Sequence, residues 1–96
     1  MRLPKNRKPT HPGAILLYDF LQPMEITQSK LAKHLGWTYA RVNEIVNGKR
    51  GISAETALSL SEAFGTSVEF WVNLQATYDL WAAQQKHKAV EPILAA

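Results

Sequence analysis

The chain has 96 residues, a formal net charge of +3, 46% hydrophobic and 20% charged residues, and no cysteine. These values are typical of one small soluble domain, and the lack of cysteine excludes disulfides and thiolate zinc sites and suits a reducing cytoplasm. No apolar run approaches the roughly 18 residues of a membrane-spanning helix, and no signal-peptide core follows the basic N-terminus.

Helical periodicity and its stop signals predict an all-α domain of five helices, and no stretch alternates like a strand. Residues 1–10 are polar and basic, with two prolines, and are predicted to form a flexible arm. The first helix is predicted to begin at Pro12, to bury apolar residues between positions 15 and 21, and to stop at Pro23. Proline fits the first turn of a helix and breaks its interior.

The other four helices are predicted from polar residues that can cap a helix start, namely Thr27, Thr38, Ser53 and Ser67. Glycines suited to a left-handed turn predict the ends of three of them, at Gly36, Gly48 and Gly65. The inward faces are predicted to be Leu31, Ala32 and Leu35, then Val42, Ile45 and Val46, then Ala57, Leu60 and Phe64, and in the fifth helix Phe70 and Leu74. The fifth helix is predicted to run past Gln84, so that the domain covers residues 11–85 and residues 86–96 form a tail.

Residues 28–45 (QSKLAKHLGWTYARVNEI) satisfy the constraints of a helix-turn-helix. Two helices that cross closely need a small residue in the first, here Ala32, and a residue tolerant of positive φ in the turn, here Gly36. Val42 and Ile45 would clamp the second of these helices onto the first and leave its polar side free to enter a DNA major groove. A purely structural helical hairpin meets the same constraints and is the alternative interpretation.

The charges are divided along the chain. Residues 27–52 hold five cationic side chains and one acid, whereas residues 53–85 hold four acids and no Lys or Arg. This division predicts one surface that faces a polyanion and another that meets a different partner. Chance scatter of surface charge is the alternative explanation.

The sequence contains no arrangement typical of an enzyme or a metal site. The three histidines, His11, His34 and His87, are far apart, lack an i, i+4 pair, and are interpreted as helix-surface residues. The glycines near position 50 lack the spacing of a phosphate-binding loop. We therefore expect no catalytic residue, no metal and no cofactor.

Further motifs extend over residues 11–82: HPG at 11–13, NEIV at 43–46, NGKRGIS at 47–53, FGTS at 64–67, FW at 70–71 and NLQ at 73–75. In these motifs the chain resembles the HigA-type antitoxins, XRE-like helix-turn-helix proteins of bacterial toxin–antitoxin modules. The resemblance implies a five-helix lambda-repressor-like fold and a homodimer that binds an inverted-repeat operator. It also implies repression of the protein's own operon and neutralisation of a HigB-type toxin that cleaves messenger RNA.

The resemblance also implies a set of DNA-contacting residues. Gln28 would clamp a phosphate, in agreement with the positive end of a helix dipole at that point. The base-reading face of the third helix would comprise or adjoin Thr38, Tyr39, Ala40, Arg41, Asn43 and Glu44. Lys49 and Arg50 would follow that helix and meet backbone phosphates.

The side chains of that face suggest individual roles. Arg41 suits a guanine edge, Asn43 an adenine edge or a phosphate, and Ala40 a thymine methyl group. Glu44 would accept a hydrogen bond from cytosine or steady Arg41 one turn away. Tyr39 and Ala40 depart from the family pattern, in which Arg or other polar residues are common, so fewer hydrogen bonds to bases are expected.

The fifth helix carries more apolar surface than one small domain can cover, which predicts an interface there. We expect Trp71, Tyr78 and Trp81 to form the two-fold contact of the homodimer. The acids of residues 53–85 would complement a basic, RNA-gripping toxin. The N-terminal arm is a rival toxin site, and an acidic surface that only maintains solubility is the simplest alternative.

Two other functions remain open from the sequence. One is a standalone dimeric XRE-type repressor without a toxin partner, which an isolated gene would favour over a gene next to a small basic protein. The other is a structural or adaptor helical domain, which the basic helix-turn-helix face argues against.

Overall fold

The computed structural model describes residues 7–94, and within that range the chain forms five helical elements and no strand. They are α1 (Pro12–Ile15), which continues as a π-helical segment (Leu16–Leu21), then α2 (Gln28–Leu35), α3 (Tyr39–Val46), α4 (Ala54–Phe64) and α5 (Val68–Lys86). The predictions for residues 1–6 of the arm and residues 95–96 of the tail lie outside the described residues. None of the helices in the described range is long and apolar enough to cross a membrane.

The predicted caps of α2 to α5 are confirmed. Each capping hydroxyl accepts a hydrogen bond from a backbone N–H three residues later, at 3.0–3.2 Å, and the four residues are Thr27, Thr38, Ser53 and Ser67. Gly36 and Gly65 end α2 and α4 with φ near +70° (72° and 71°), as expected of left-handed C-caps. These local signals fix the four helix starts.

The first helix differs from the prediction in its second half. It begins at Pro12 and ends before Pro23 as expected, but its second half widens, so that the Gln22 N–H donates to the Leu17 carbonyl five residues back. Its N-cap is His11, whose Nδ1 accepts from the Gly13 N–H at 2.9 Å. His11 is therefore a half-buried capping residue and not the free surface residue that was expected.

The core lies where α1 and its π-helical continuation, α3, α4 and the start of α5 meet. Leu16, Leu21, Val42, Ile45, Leu60 and Trp71 are all 1% exposed or less. Gly13 is required at the crossing of α1 and α3, because a Cβ at this position would overlap the Ile45 carbonyl. The expected inward residues of α2, α3 and α4 are buried or partly buried. Phe70 was also expected to face inward, but it is 38% exposed, and its ring makes edge-type contacts with Phe20 and Trp71.

Candidate nucleic-acid interface

A row of side-chain amides joins the start of α2 to the end of α3. Asn43 Nδ2 donates to Gln28 Oε1 at 3.0 Å, and Asn47 Nδ2 donates to Asn43 Oδ1 at 3.1 Å. The Tyr39 hydroxyl lies 3.5 Å from Asn43 Nδ2 on the same face. The two helices therefore present one continuous polar surface whose side chains hold one another in place.

The first turn of α3 is open to solvent. Thr38, Tyr39 and Ala40 are exposed, and Tyr39 keeps 53% of its surface accessible. Of the predicted contact residues, the structure brings Tyr39, Asn43 and Gln28 together, with Thr38 and Ala40 exposed at the same end of α3.

The Arg41 side chain points towards Trp37 and Thr56 and away from this open face. Its guanidinium stacks on the Trp37 ring, 3.8 Å from the centroid, and Nη2 donates to the buried Thr56 hydroxyl at 3.1 Å. Its Nε is buried and has no hydrogen-bond partner among residues 7–94. Arg41 thus ties the turn before α3 to the start of α4.

Glu44 pairs with Arg50 and not with Arg41, so the expected support of Arg41 by Glu44 is wrong. Arg50 Nη2 lies 3.0 Å from Glu44 Oε1, and both side chains are about half exposed. The backbone N–H groups of Lys49 and Arg50 also donate to the Glu44 carbonyl, because the chain folds back after α3. The pair offsets the negative charge of Glu44 beside the polar surface and leaves Lys49 as an exposed cation.

The loop after α3 is held by α5 through Gln75. Its Oε1 accepts from the Ile52 N–H at 2.6 Å, and its Nε2 donates to Asp79 at 2.8 Å. The sequence assigned no role to Gln75 or Thr56, because their partners Ile52 and Arg41 are 23 and 15 residues away. It assigned none to Trp37, because Arg41, four residues later, was expected to face DNA. Gln75 matters here because it fixes the segment that carries Lys49 and Arg50.

His11 lies behind that loop. Its ring packs edge-on against Tyr78, with centroids 4.8 Å apart, and burial lowers the pKa of the imidazole. The nearby Asp79 carboxylate opposes this shift in pKa, and the Lys8 ammonium adds to it. Because Nδ1 must be unprotonated to accept from Gly13, a lowered pKa keeps the cap of α1 intact.

The expected two-fold contact is partly wrong. Trp71 is 0% exposed and donates its indole N–H to the Thr66 hydroxyl at 2.8 Å, so it belongs to the core and offers no surface to a partner. Tyr78 and Trp81 are half-buried, with the Lys8 ammonium 5.7 and 5.8 Å from their ring centroids. These aromatics face the chain itself, including part of the arm.

The outward side of α5 carries different apolar residues. Val72 and Leu80 are 41% and 51% exposed, and Ala76 and Ala83 lie between and beyond them, also exposed. Spacings of four, four and three residues place all four on one helical face. The acids of the α4–α5 half, Glu55, Glu62, Glu69 and Asp79, are exposed as well.

Comparison with known proteins places this geometry in a family. Residues 17–71 match the helix-turn-helix family model. The chain is 43% identical over 91 residues to virulence-associated protein I of Dichelobacter nodosus, covering 94% of this chain and 84% of that protein. It is 36% identical over 91 residues to antitoxin HigA-1 of Vibrio cholerae, covering 91% and 86% of the two chains.

Solved structures of similar proteins indicate the same family. The Pseudomonas aeruginosa antitoxin HigA with the higBA promoter superposes with a TM-score of 0.82 and 42% identity, covering 90% of this chain and 99% of that one. The antitoxin GraA in complex with its operator gives a TM-score of 0.85 and 37% identity, covering 98% and 100%. The chain therefore belongs to the XRE-type helix-turn-helix family, with the HigA antitoxins among its relatives.

Proposed function

We propose that this protein is a DNA-binding antitoxin that represses its own operon and neutralises a HigB-type, messenger-RNA-cleaving toxin by direct binding. The observation that carries the proposal is the amide-linked polar face of α2 and α3, which stands free of the core beside the exposed Lys49. Related antitoxins have been solved with a promoter and with an operator, which supports DNA binding by this chain. Such a repressor acts where bacterial DNA is, in the cytoplasm.

On DNA, α3 enters the major groove and Gln28 meets a phosphate at the start of α2. The free N–H groups and dipole of that helix start favour an anion, and Gln28 simultaneously orients Asn43 through their hydrogen bond. Asn43 then reads an adenine edge, and Ala40 contacts a thymine methyl group. Lys49 and Arg50 supply backbone contacts that set position without reading sequence.

The active form is a homodimer, because an inverted-repeat operator presents two half-sites about 34–36 Å apart. The outward face of α5 is the proposed two-fold contact, with Val72 and Leu80 at its centre. Tyr78 and Trp81 lie on the opposite side of α5, towards His11 and Lys8, and are not part of this contact. Covering this face removes apolar surface from water in both copies at once.

The toxin is proposed to bind the acidic α4–α5 half. A toxin that grips RNA presents cations, and the exposed carboxylates of this half are complementary to them. This surface involves residues other than those of the polar α2–α3 face, so that operator and toxin can be bound together.

The DNA proposal is tested by titrating the upstream promoter fragment and an unrelated duplex over a range of salt concentrations. Affinity for both should fall steeply as salt rises, because cation–phosphate contacts release counterions. Lys49→Ala should weaken both duplexes alike. Equal affinity of the parent protein for the two duplexes would contradict sequence-specific repression.

The toxin proposal is tested by co-purification with the product of the adjacent gene. Glu55→Lys with Glu62→Lys should weaken the complex, whereas Asp19→Lys with Glu25→Lys, which change the charge equally outside residues 53–85, should not. Deletion of residues 1–7 spares Lys8 and should leave the complex intact. Loss on that deletion would move the site to the arm, and no complex with a neighbour would leave the standalone repressor.

A further inference from the structure

An apolar groove with a basic rim runs between α2 and the end of α4. Its volume is about 660 Å³, which suits a short peptide segment or a small ligand. Ile26, Leu31 and Phe64 form its apolar lining. The rim carries Lys30, Lys33 and His34, so the groove matches an occupant that is apolar and acidic.

The segment after α5 has that chemistry. Val90, Ile93 and Leu94 are 79%, 99% and 85% exposed, so their apolar side chains are almost uncovered in the single chain. Glu91 supplies a carboxylate among them, and Pro92 favours an extended backbone over a helix. An extended apolar segment with one acid is complementary to a groove with apolar walls and cationic edges.

The segment cannot fill the groove of its own chain. The groove includes Ala63 and Phe64, at the end of α4 and near the start of α5, whereas the tail leaves the far end of α5. The 19 residues of α5 span about 28 Å. Val90 is four residues past Lys86, so an extended chain carries it back along α5 by at most about 14 Å. This is about half the length of α5, so residues 90–94 cannot all reach the groove of their own chain.

A second copy brings the two together when the α5 helices pair antiparallel. In the register that sets Val72 against Ala83 of the second copy, Ala76 faces Leu80, and Glu69 faces Lys86. Small residues then oppose larger ones and opposite charges meet. A parallel pair would instead place Glu69 beside Glu69 and Lys86 beside Lys86, which is repulsive.

We propose that residues 90–94 of one copy bind in the α2–α4 groove of a second copy of this chain. In the antiparallel register, the chain past Lys86 continues directly towards the end of α4 of the second copy, where the groove lies. Glu91 meets Lys30 and Lys33, and the apolar side chains cover Leu31 and Phe64. The inference rests on the homodimer of the proposed function and adds a reciprocal tail exchange to it.

Disulfide trapping tests this contact, since the chain has no natural cysteine. An affinity-tagged Leu94→Cys chain is mixed with an untagged Met24→Cys chain, because Met24 lies at the groove mouth and is 54% exposed. The control partner is Leu58→Cys, which is 50% exposed on another face of α4. Mild oxidation should link Leu94→Cys to Met24→Cys several-fold more than to Leu58→Cys, as read from the mass of the mixed dimer.

A charge exchange provides the second readout. Glu91→Lys should raise the dissociation constant of the dimer, and adding Lys33→Glu to the same chain should restore it. Lys49→Glu combined with Glu91→Lys makes the same charge change outside the groove and the α5 contact, and should give no such rescue. A dimer with equal linkage to both cysteine partners overturns the tail exchange alone, whereas a protein that sediments as a monomer overturns the homodimer as well.

Discussion

Helix α3 has eight residues and buries all three of its branched apolar side chains, whereas α5 has 19 residues and buries only Trp71 completely. The exposed side of α3 is polar, and hydrogen bonds tie Asn43 to α2 and to Asn47. The exposed side of α5 is apolar along Val72, Ala76, Leu80 and Ala83.

The difference indicates what each helix meets. Ordered polar groups cost little to expose to water and can exchange their water for the edges of bases. Exposed apolar side chains gain free energy when another protein surface covers them. One short helix is thus suited to nucleic acid and one long helix to protein.

The largest expected effect is the difference in lost folding stability between substitutions on the inner and outer sides of α5. Trp71→Ala removes a fully buried indole and its bond to Thr66, and should lower the free energy of unfolding by about 3–5 kcal/mol. Val72→Ala, one residue later on the outward side, should cost less than about 1 kcal/mol in dilute protein. Urea unfolding measures both, and similar losses would mean that α5 has no distinct inner and outer face.

The next effect concerns the outward face itself. Leu80→Lys places a charge from each copy in the proposed two-fold contact, and should raise the dimer dissociation constant about 100-fold. Leu58→Lys is the matched control, since the two leucines are 51% and 50% exposed. Analytical ultracentrifugation over a dilution series is the measurement. A dimer that tolerates Leu80→Lys as well as Leu58→Lys would place the contact elsewhere.

Arg41 tests whether α3 depends on contacts behind it. Arg41→Ala removes the stack on Trp37 and the bond to Thr56, and should lower the free energy of unfolding by about 1–2 kcal/mol. If Arg41 acts only through this arrangement, affinity for specific and unrelated DNA should fall by the same factor. A selective loss on the operator, with unchanged stability, would show that Arg41 swings out to read a base.

The smallest effect is a pH dependence at the start of α1. The pKa of His11 is lowered from its ordinary value of 6.5, so below that pH the unfolded chain binds more protons than the folded one. The free energy of unfolding should therefore fall as pH drops through 6.5 towards the lowered pKa. His11→Asn keeps a capping side chain and does not titrate, so it should remove this part of the pH dependence. An unchanged profile would assign it to other groups.

The helix starts and ends were predictable because their causes are local. A hydroxyl that caps three residues ahead, or a glycine at positive φ, is visible within four residues of sequence. The proximity of Tyr39 and Asn43 was predictable in the same way, because helical spacing places residues four apart on one face, whereas their contact with DNA stays a prediction.

What the sequence missed depends on distant or cooperative contacts. The Arg41 guanidinium is held away from the outward face of α3 by a hydrogen bond to Thr56, 15 residues later. Glu44 forms an ion pair with Arg50, because the chain folds back after α3. An aromatic stripe on α5 does not reveal which ring faces the core, so Trp71 was assigned to the wrong side. The π-helical widening after α1 leaves no periodic signal of its own.

The central claim, that the outward face of α3 reads DNA, is tested most directly at Asn43. Fluorescence anisotropy compares the parent, Asn43→Ala and the exposed-amide control Gln22→Ala on operator and unrelated duplexes at one salt concentration. We predict that Asn43→Ala loses about 1–3 kcal/mol on the operator alone, while Gln22→Ala binds both duplexes like the parent. Equal loss on both duplexes, or none on either, would contradict the claim.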